Sequence, residues 1–582
     1  MSHYYSAERN VQILLALMKA HGVRKVVVSP GATNVCVVGS LQSDPYFQLY
    51  SSVDERSAAY IACGLAAESG EPVALSCTGA TASRNYAPGL TEAFYRKLPV
   101  LAITSSRPQS SVGMLVPQAT DRTQQFKDML NLSVQVPTVA DKNDEWAVSI
   151  QINKALLALR HRGGGPVHIN IVSGYSRDFS VRKLPEVTVI RRYCPGDAFP
   201  EIPARGKIAI FVGAHTRWSE ALTQAVDDFC ATYDAVVICD QTSNYRGKYR
   251  VLAKLSTIQQ NNRTPNADID LLIHIGEVSG SYMTLFPKAV WRVSPDGEIR
   301  DRFRKLTAVF DMEEQAFFRV YAAKAPASER NSFLRSWQAD REELLAKLPE
   351  LPFSNLWIAQ HTAPRLPADS VLYLAILNTL RAWCYFETPD SIICYANTGG
   401  FGIDGGTSSL LGTSLANPNR LCFGITGDLG FFYDLNALGN RHVGRNLRLI
   451  LINNGLGTEF KNFNHYAALF GDEADQYIAA AGHYGRKSRK LVRHYAEDLG
   501  FEYMSAEGKD DYLAAMDRFF TPELTDRPML LEVFTDSKLE SDALHTVMTL
   551  NGEEEKKGGA KVMVKRVLGE NNVRTLKRMI RK

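Results

Sequence analysis

The stretch Ile425-Thr-Gly-Asp428-Leu-Gly ends one apolar run, and Leu449-Ile-Leu-Ile-Asn-Asn454-Gly-Leu-Gly ends the next. A helical pattern lies between them, so the segment predicts a β-α-β crossover with the carboxyl ends of two parallel strands side by side. Asp428 and Asn454, 26 positions apart, then offer oxygen atoms to one hard cation such as Mg²⁺. The two glycines after Asn454 let the backbone approach a diphosphate. Gly-Asp and Asn-Asn-Gly are also common turn formers, so on this segment alone a plain turn is an alternative.

Short apolar runs alternate with helical patterns along most of the 582 residues, which is typical of parallel α/β domains. The chain is too long for one domain. The predicted fold class is α/β with three doubly wound parallel-sheet domains, whose ligands bind at the carboxyl ends of the strands. The predicted divisions are a first domain at 1–185, a linker at 186–206, a middle domain at 207–347, a third domain at 348–545 and a basic tail at 546–582. Helices are expected at 55–69 and 80–95.

The composition is that of a globular enzyme, with 45% hydrophobic and 22% charged residues, which excludes a disordered or collagen-like chain. A formal net charge of +4 excludes a dedicated nucleic-acid binder. The nine cysteines are scattered and include no C-x-x-C pair, which favours reduced thiols in the cytoplasm. The early apolar run at 13–18 is too short for a signal peptide, and no stretch is long enough to span a bilayer.

Further stretches carry a resemblance to thiamine-diphosphate enzymes of the acetolactate synthase and 2-oxo acid decarboxylase type. Their metal motif is Gly-Asp-Gly followed by Asn-Asn one crossover later. Leu429 at the third position matches one branch, the menaquinone-pathway synthases that join 2-oxoglutarate to isochorismate (SEPHCHC synthases). Matching stretches lie at 54–59, 106–108, 117–121, 291–300, 396–405 and 427–438, so the resemblance spans residues 5–540. By this resemblance, the three predicted domains are a pyrimidine-binding domain, a middle domain and a diphosphate-binding domain.

The resemblance implies catalytic roles for Glu55, Gln118 and Arg107. Glu55 matches the carboxylate that hydrogen-bonds the far ring nitrogen of the cofactor's aminopyrimidine and so allows removal of the thiazolium C2 proton. Its place after an apolar strand fits, although an acid stabilised by the helix dipole is the alternative. Gln118 matches a glutamine that polarises donor oxygens, and Arg107 matches a substrate arginine. Without the resemblance, Gln118 in a loop would indicate nothing.

The resemblance also implies a cofactor site with a Mg²⁺ ion. Ile403 matches the apolar residue that wedges between the two cofactor rings; by itself it would be read as a core side chain. The expected metal ligands are Asp428, Asn454 and the carbonyl of Leu456. The full cofactor-binding set is Glu55, Asn397, Gly399, Gly402, Ile403, Gly427, Asp428, Leu429, Asn454, Leu456 and Gly457.

Family geometry implies a homodimer, or a tetramer of two dimers, because Glu55 and Asp428 meet across a subunit interface in these enzymes. The middle domain has no G-x-G-x-x-G after its first strand, so a bound FAD is not indicated.

Two positions depart from the synthase branch. Thr33 and Thr398 stand where the branch has arginines, and a threonine cannot make a bidentate carboxylate contact, whereas Arg107 is retained. We therefore expect a carboligase that decarboxylates pyruvate or 2-oxoglutarate and transfers the acyl carbanion to a carbonyl or enone acceptor other than isochorismate. A decarboxylase releasing an aldehyde and a non-catalytic homologue are the alternatives. No paired His-His proton donor is present, which favours the carboligase.

The C-terminal tail is a separate feature. From residue 546 onward it has ten Lys or Arg against four Glu, and its last part has the pattern of a basic amphipathic helix. Packing on a neighbouring subunit is the favoured interpretation, and contact with an anionic membrane is the alternative.

Overall fold

The computed structural model describes residues 4–203, 205–215, 218–324, 330–484 and 487–552, and the tail beyond residue 552 lies outside this range. The chain forms two compact units. Unit 1 consists of residues 1–199 and 296–311, and unit 2 of residues 200–295 and 312–582. The strands build three parallel sheets, which confirms the predicted α/β class. The exact domain boundaries stay a prediction.

The first sheet lies in unit 1 and has the order β2-β1-β3-β4-β6-β5, with all strands parallel. Its strands are β1 (Lys25–Val28), β2 (Gln48–Ser51), β3 (Val73–Thr78), β4 (Val100–Ser106), β5 (Leu132–Val136) and β6 (Val167–Val172). The helices are α1 (Arg9–Ala20), α2 (Val35–Gln42), α3 (Glu55–Ser69), α4 (Thr81–Arg84), α5 (Ala87–Tyr95) and α6 (Lys142–Ala158). Successive residues Val26 and Val27 enter separate apolar clusters, so helices cover both faces, as in a doubly wound sheet.

Helix α3 places Glu55 at its first turn. The Asp54 side chain accepts a hydrogen bond from the Ser57 amide and so caps the helix, and Gly70, with φ of 66°, ends it. The expected helix at 80–95 is instead divided into α4 and α5, because Pro88 in the first turn of α5 cannot donate the hydrogen bond that a continuous helix requires.

Small residues allow α3 and α5 to pack closely. A Cβ added at Gly89 would lie 2.4 Å from the Cβ of Ala59. We therefore expect Gly89→Ala to lower the free energy of unfolding by about 1–3 kcal/mol through overpacking. Gly64→Ala is the matched control, because nothing lies within 4 Å of its added Cβ and alanine favours a helix interior by roughly 0.5–1 kcal/mol. Thermal unfolding of both variants measures this, and equal melting temperatures would contradict it.

The second set of strands comprises β7 (Arg191–Tyr193), β8 (Ile208–Val212), β9 (Val236–Ile238), β10 (Arg250–Val251), β11 (Asp268–Ile275), β12 (Phe286–Ser294) and β13 (Leu306–Asp311). In unit 2 the order is β10-β9-β8-β11-β12. In unit 1 β13 pairs in parallel with β7, which lies inside the segment expected to be a linker. The helices are α7 (Glu220–Tyr233), α8 (Lys254–Thr257), α9 (Glu314–Ala322) and α10 (Ser332–Ala346).

The third sheet lies in unit 2 and has the order β15-β14-β16-β17-β19-β18, again all parallel. Its strands are β14 (Val371–Leu374), β15 (Ile393–Tyr395), β16 (Cys422–Gly427), β17 (Leu447–Asn453), β18 (Glu502–Ala506) and β19 (Met529–Phe534). The helices are α11 (Asn355–Thr362), α12 (Asn378–Trp383), α13 (Gly406–Ala416), α14 (Asp428–Tyr433), α15 (Ala474–Tyr477), α16 (Leu491–Asp498), α17 (Lys509–Phe519) and α18 (Ser537–Met548). No helix among the described residues is long and apolar enough to cross a membrane.

Candidate active site

The order in which strands are added to the third sheet reverses between β14 and β16. Strand β14 pairs with β15 on one side and with β16 on the other, and β17 continues beyond β16. The connections on the two sides of this point diverge, which leaves a crevice at the carboxyl ends of the strands.

Asp428 joins the ends of β16 and β17. It is 5% exposed and begins α14 directly after β16. Its Oδ2 accepts a hydrogen bond of 2.6 Å from the Gly455 amide, and its Oδ1 accepts one of 2.9 Å from the Leu429 amide. Gly455 has φ of 76°, a conformation that side chains disfavour. The crossover predicted from the sequence therefore brings the Gly-Asp and Asn-Asn-Gly segments together.

A cavity of about 280 Å³ opens at this crevice. The predicted residues that line it are Ile403, Gly427, Asp428, Leu429, Asn454, Leu456 and Gly457. The available donors are a carboxylate, an amide oxygen and a backbone carbonyl, which suit a hard cation that takes its other ligands from phosphate and water. No group of three His, Cys, Asp or Glu side chains among the described residues forms a metal site of another kind. The residues at the crevice thus fit a diphosphate with Mg²⁺.

Three of the predicted cofactor residues of unit 2 do not line this cavity. Asn397 uses its Oδ1 to accept hydrogen bonds from the Tyr373 hydroxyl and from the Ser409 hydroxyl at 3.2 Å. A Cβ added at Gly399 would meet nothing within 4 Å, whereas one at Gly402 would lie 2.4 Å from an Asp404 oxygen. These residues belong to the loop that precedes α13.

Glu55 is half-buried at the start of α3 in unit 1. Burial raises the pKa of the Cys77 thiol to about 12, and the nearby Glu55 carboxylate contributes to the same shift. Tyr86, fully buried, also has its pKa raised by burial and, to a lesser degree, by Glu55. The Glu55 carboxylate is thus within electrostatic range of the Cys77 and Tyr86 side chains.

Arg107 and Gln118 occur in one loop of unit 1. The Nε atom of Arg107 donates a hydrogen bond of 3.1 Å to the carbonyl of Pro117, and its guanidinium lies 5.2 Å from the centre of the Tyr175 ring. Gln118 is exposed and has φ of 60°. The Thr120 hydroxyl, in the same loop, donates to the Gly79 carbonyl, which holds this loop near the end of β3.

A buried acid in the strand next to β17 was not predicted. Glu532 lies in β19, where its two oxygens accept hydrogen bonds of 2.7 Å from the Asn453 amide and 2.8 Å from the Tyr503 hydroxyl. Burial raises the pKa of this carboxyl. Because Asn453 precedes Asn454, this contact orients the end of β17. A single acid within the apolar run at 529–534 was the available sequence signal.

Comparison with known proteins identifies the cofactor. Residues 9–131 match the model of the thiamine pyrophosphate enzyme, N-terminal TPP binding domain. The 2-succinyl-5-enolpyruvyl-6-hydroxy-3-cyclohexene-1-carboxylate synthase of Bacteroides fragilis is 32% identical over 572 residues, covering 93% of this chain and 99% of the relative. That of Bacteroides thetaiotaomicron is 31% identical with the same coverage. A thiamine diphosphate-dependent 4-hydroxybenzoylformate decarboxylase of Rhodococcus jostii RHA1 aligns with a TM-score of 0.40 and 16% identity, covering 90% of this chain and 99% of that one.

The exclusion of isochorismate was wrong. Relatives with this degree of identity over their whole length carry the name of the synthase, whose family uses isochorismate. The two threonines do not suffice to exclude a substrate. The Thr33 side chain is buried, and its hydroxyl donates a hydrogen bond of 2.5 Å to the Ser105 carbonyl in β4. This threonine therefore has a structural contact with the first sheet. With full-length relatives at this identity and a matching N-terminal domain, this chain is a thiamine-diphosphate enzyme and belongs to the family of 2-succinyl-5-enolpyruvyl-6-hydroxy-3-cyclohexene-1-carboxylate synthases.

Proposed function

We propose that this protein is a Mg²⁺- and thiamine-diphosphate-dependent synthase that joins 2-oxoglutarate to isochorismate. In this reaction the C1–C2 bond of 2-oxoglutarate breaks and CO₂ leaves. The former C2 of 2-oxoglutarate, now the carbonyl carbon of the succinyl group, bonds to C2 of the acceptor ring. The adjacent ring carbon, C1, takes a proton. The observation that carries the proposal is the 32% identity to a synthase over 99% of that relative's length.

The residues of the crevice have defined tasks in this proposal. Asp428, Asn454 and the Leu456 carbonyl would hold Mg²⁺, and Ile403 on the cavity wall would hold the cofactor rings in place. When bound, thiamine diphosphate supplies an electron sink for the carbon that loses CO₂. Glu55 would hold a proton at its carboxylate against the cofactor's pyrimidine ring, and Gln118 with Arg107 would bind substrate oxygens.

The direct test is product formation. The protein with thiamine diphosphate, Mg²⁺, 2-oxoglutarate and isochorismate is expected to release one CO₂ for each molecule of the succinylated cyclohexene carboxylate, measured by mass spectrometry and a coupled CO₂ assay. Omission of isochorismate is the control. Succinic semialdehyde formed equally with and without the acceptor, or consumption of neither substrate, would contradict the proposal.

A homodimer, or a tetramer of two dimers, is part of the same proposal. In unit 1 the apolar side chains of Tyr60 and Ile61 on α3 are exposed, and Val53 before it is 79% exposed. An interface with a second copy would bury these residues beside Glu55. Light scattering measures the assembly. A cytoplasmic location is proposed from the nine cysteines, none of which forms a disulfide.

A further inference from the structure

A second cavity of about 390 Å³ lies beside the cofactor cavity in unit 2. The two cavities share the lining residues Asn355, Asn378, Glu459 and Glu540, and therefore have a common wall. The second cavity is therefore next to the residues that would hold the cofactor. The polar groups of the second cavity are thus candidates for contacts with a substrate.

Lys254 is a buried residue that lines this second cavity. It is 5% exposed, and its Nζ donates a hydrogen bond of 2.5 Å to the Tyr282 carbonyl and lies 5.8 Å from the centre of the Tyr385 ring. Among the described residues no carboxylate oxygen lies within 4.0 Å of this Nζ. Burial lowers the pKa of Lys254 to about 8. A buried ammonium without a counter-charge is costly, and an anionic ligand would offset that cost.

None of the carboxylates that line the cavity forms an ion pair with Lys254. Arg381 lines the same cavity and forms an ion pair with Glu459. Besides burial, the Arg381 charge lowers the pKa of Lys254, whereas Cys384 and Asp240 act in the opposite direction. Glu540 is buried and accepts two hydrogen bonds of 3.0 Å from the Asn355 amide, and burial raises its pKa to about 7. In the described part of the chain, Arg381 thus has a carboxylate in ion-pair contact, whereas Lys254 has none.

We propose that Lys254 is a specificity-determining residue that binds the carboxylate of the 2-oxo acid donor remote from its 2-oxo group. This inference rests on the proposed function, because the donor's reacting end must lie in the adjoining cofactor cavity. The ammonium would form a charge-assisted hydrogen bond with the carboxylate. The family resemblance assigned no role to Lys254. Its position at the start of the short helix Lys254–Thr257, whose sequence is Lys-Leu-Ser-Thr, did not indicate burial.

The first test measures binding without turnover. Glutarate has both carboxylates of the donor but no 2-oxo group, so the protein loaded with thiamine diphosphate and Mg²⁺ can be titrated with it by calorimetry. Lys254→Met should weaken glutarate binding by about tenfold or more, whereas Lys254→Arg, which keeps the charge, should lose roughly threefold or less. Lys288→Met is the control, since Lys288 is exposed and pairs with Asp270. Equal affinity of wild type and Lys254→Met, or equally tight competition by inorganic phosphate, would overturn the inference.

The second test compares donors. In Lys254→Met the ratio of kcat/KM for 2-oxoglutarate to that for 2-oxopentanoate is expected to fall by about tenfold, mainly through KM, because only 2-oxoglutarate has the remote carboxylate. An unchanged ratio would refute the role of Lys254. Failure of the wild type to use 2-oxoglutarate would instead refute the proposed function, and the glutarate titration would still decide the role of Lys254. Methionine matches lysine in volume, and thermal unfolding checks that the variant folds.

Discussion

Glu55→Gln should reduce CO₂ release from 2-oxoglutarate by about 10²–10⁴-fold while the protein still folds. The substitution keeps the size of the side chain and removes the acidic proton that the proposed mechanism requires against the pyrimidine ring. The helix start should persist, because Asp54 caps α3 independently of Glu55. Single-turnover CO₂ release and circular dichroism of the two proteins measure the effect.

Glu68→Gln is the matched control for this variant. Glu68 lies in the same helix, is exposed and has no assigned role, so its replacement should leave turnover within about twofold of wild type. Full activity of Glu55→Gln would remove Glu55 from the mechanism. Loss of activity together with loss of the folded signal would assign it a structural role instead.

The crevice around Asp428 could be predicted because its determinants are local. A crossover between two apolar strands sets the strand ends side by side, and the Asp428 to Gly455 hydrogen bond follows from that placement. The extents of α3, β17 and β19 also follow from local patterns. Helix α3 has a clear cap at each end, and the two strands are predominantly apolar runs of strand length. Such patterns distinguish helix from strand and fix where each element begins and ends.

The features that could not be predicted depend on contacts distant in sequence. Strand β7 forms only because β13 lies beside it, and nothing in its own three residues distinguishes it from a linker. Asn397 matched a cofactor motif, but its side chain bonds Tyr373 in a neighbouring strand. The burial of Lys254 is likewise a tertiary property, since a lysine is exposed in most sequence contexts. The substrate inference from Thr33 and Thr398 was wrong for the same reason, because two missing arginines say nothing about the cations that other elements supply.

Asp428→Asn should prevent tight binding of thiamine diphosphate with Mg²⁺. The asparagine oxygen can still accept the hydrogen bond from the Gly455 amide, so the ends of β16 and β17 should stay together. The negative charge is lost, however, and a hard divalent cation binds a neutral amide much more weakly than a carboxylate. Replacement of a ligand of this kind is expected to weaken the combined affinity by about 10²-fold. Isothermal titration in the presence and absence of Mg²⁺ measures this without requiring turnover.

Thermal unfolding provides an independent readout of the same site. A ligand that binds only the folded protein stabilises it by about 2.7 kcal/mol when its concentration is 100 times its dissociation constant, so cofactor with Mg²⁺ should raise the melting temperature of wild type. Asp428→Asn should lose that rise, and EDTA should abolish it in wild type. Asp390→Asn, an exposed acid before β15, should retain it. If Asp428→Asn were stabilised as much as wild type, Asp428 could not be a metal ligand. Loss of the rise in Asp428→Asn alone would place the cation between the ends of β16 and β17.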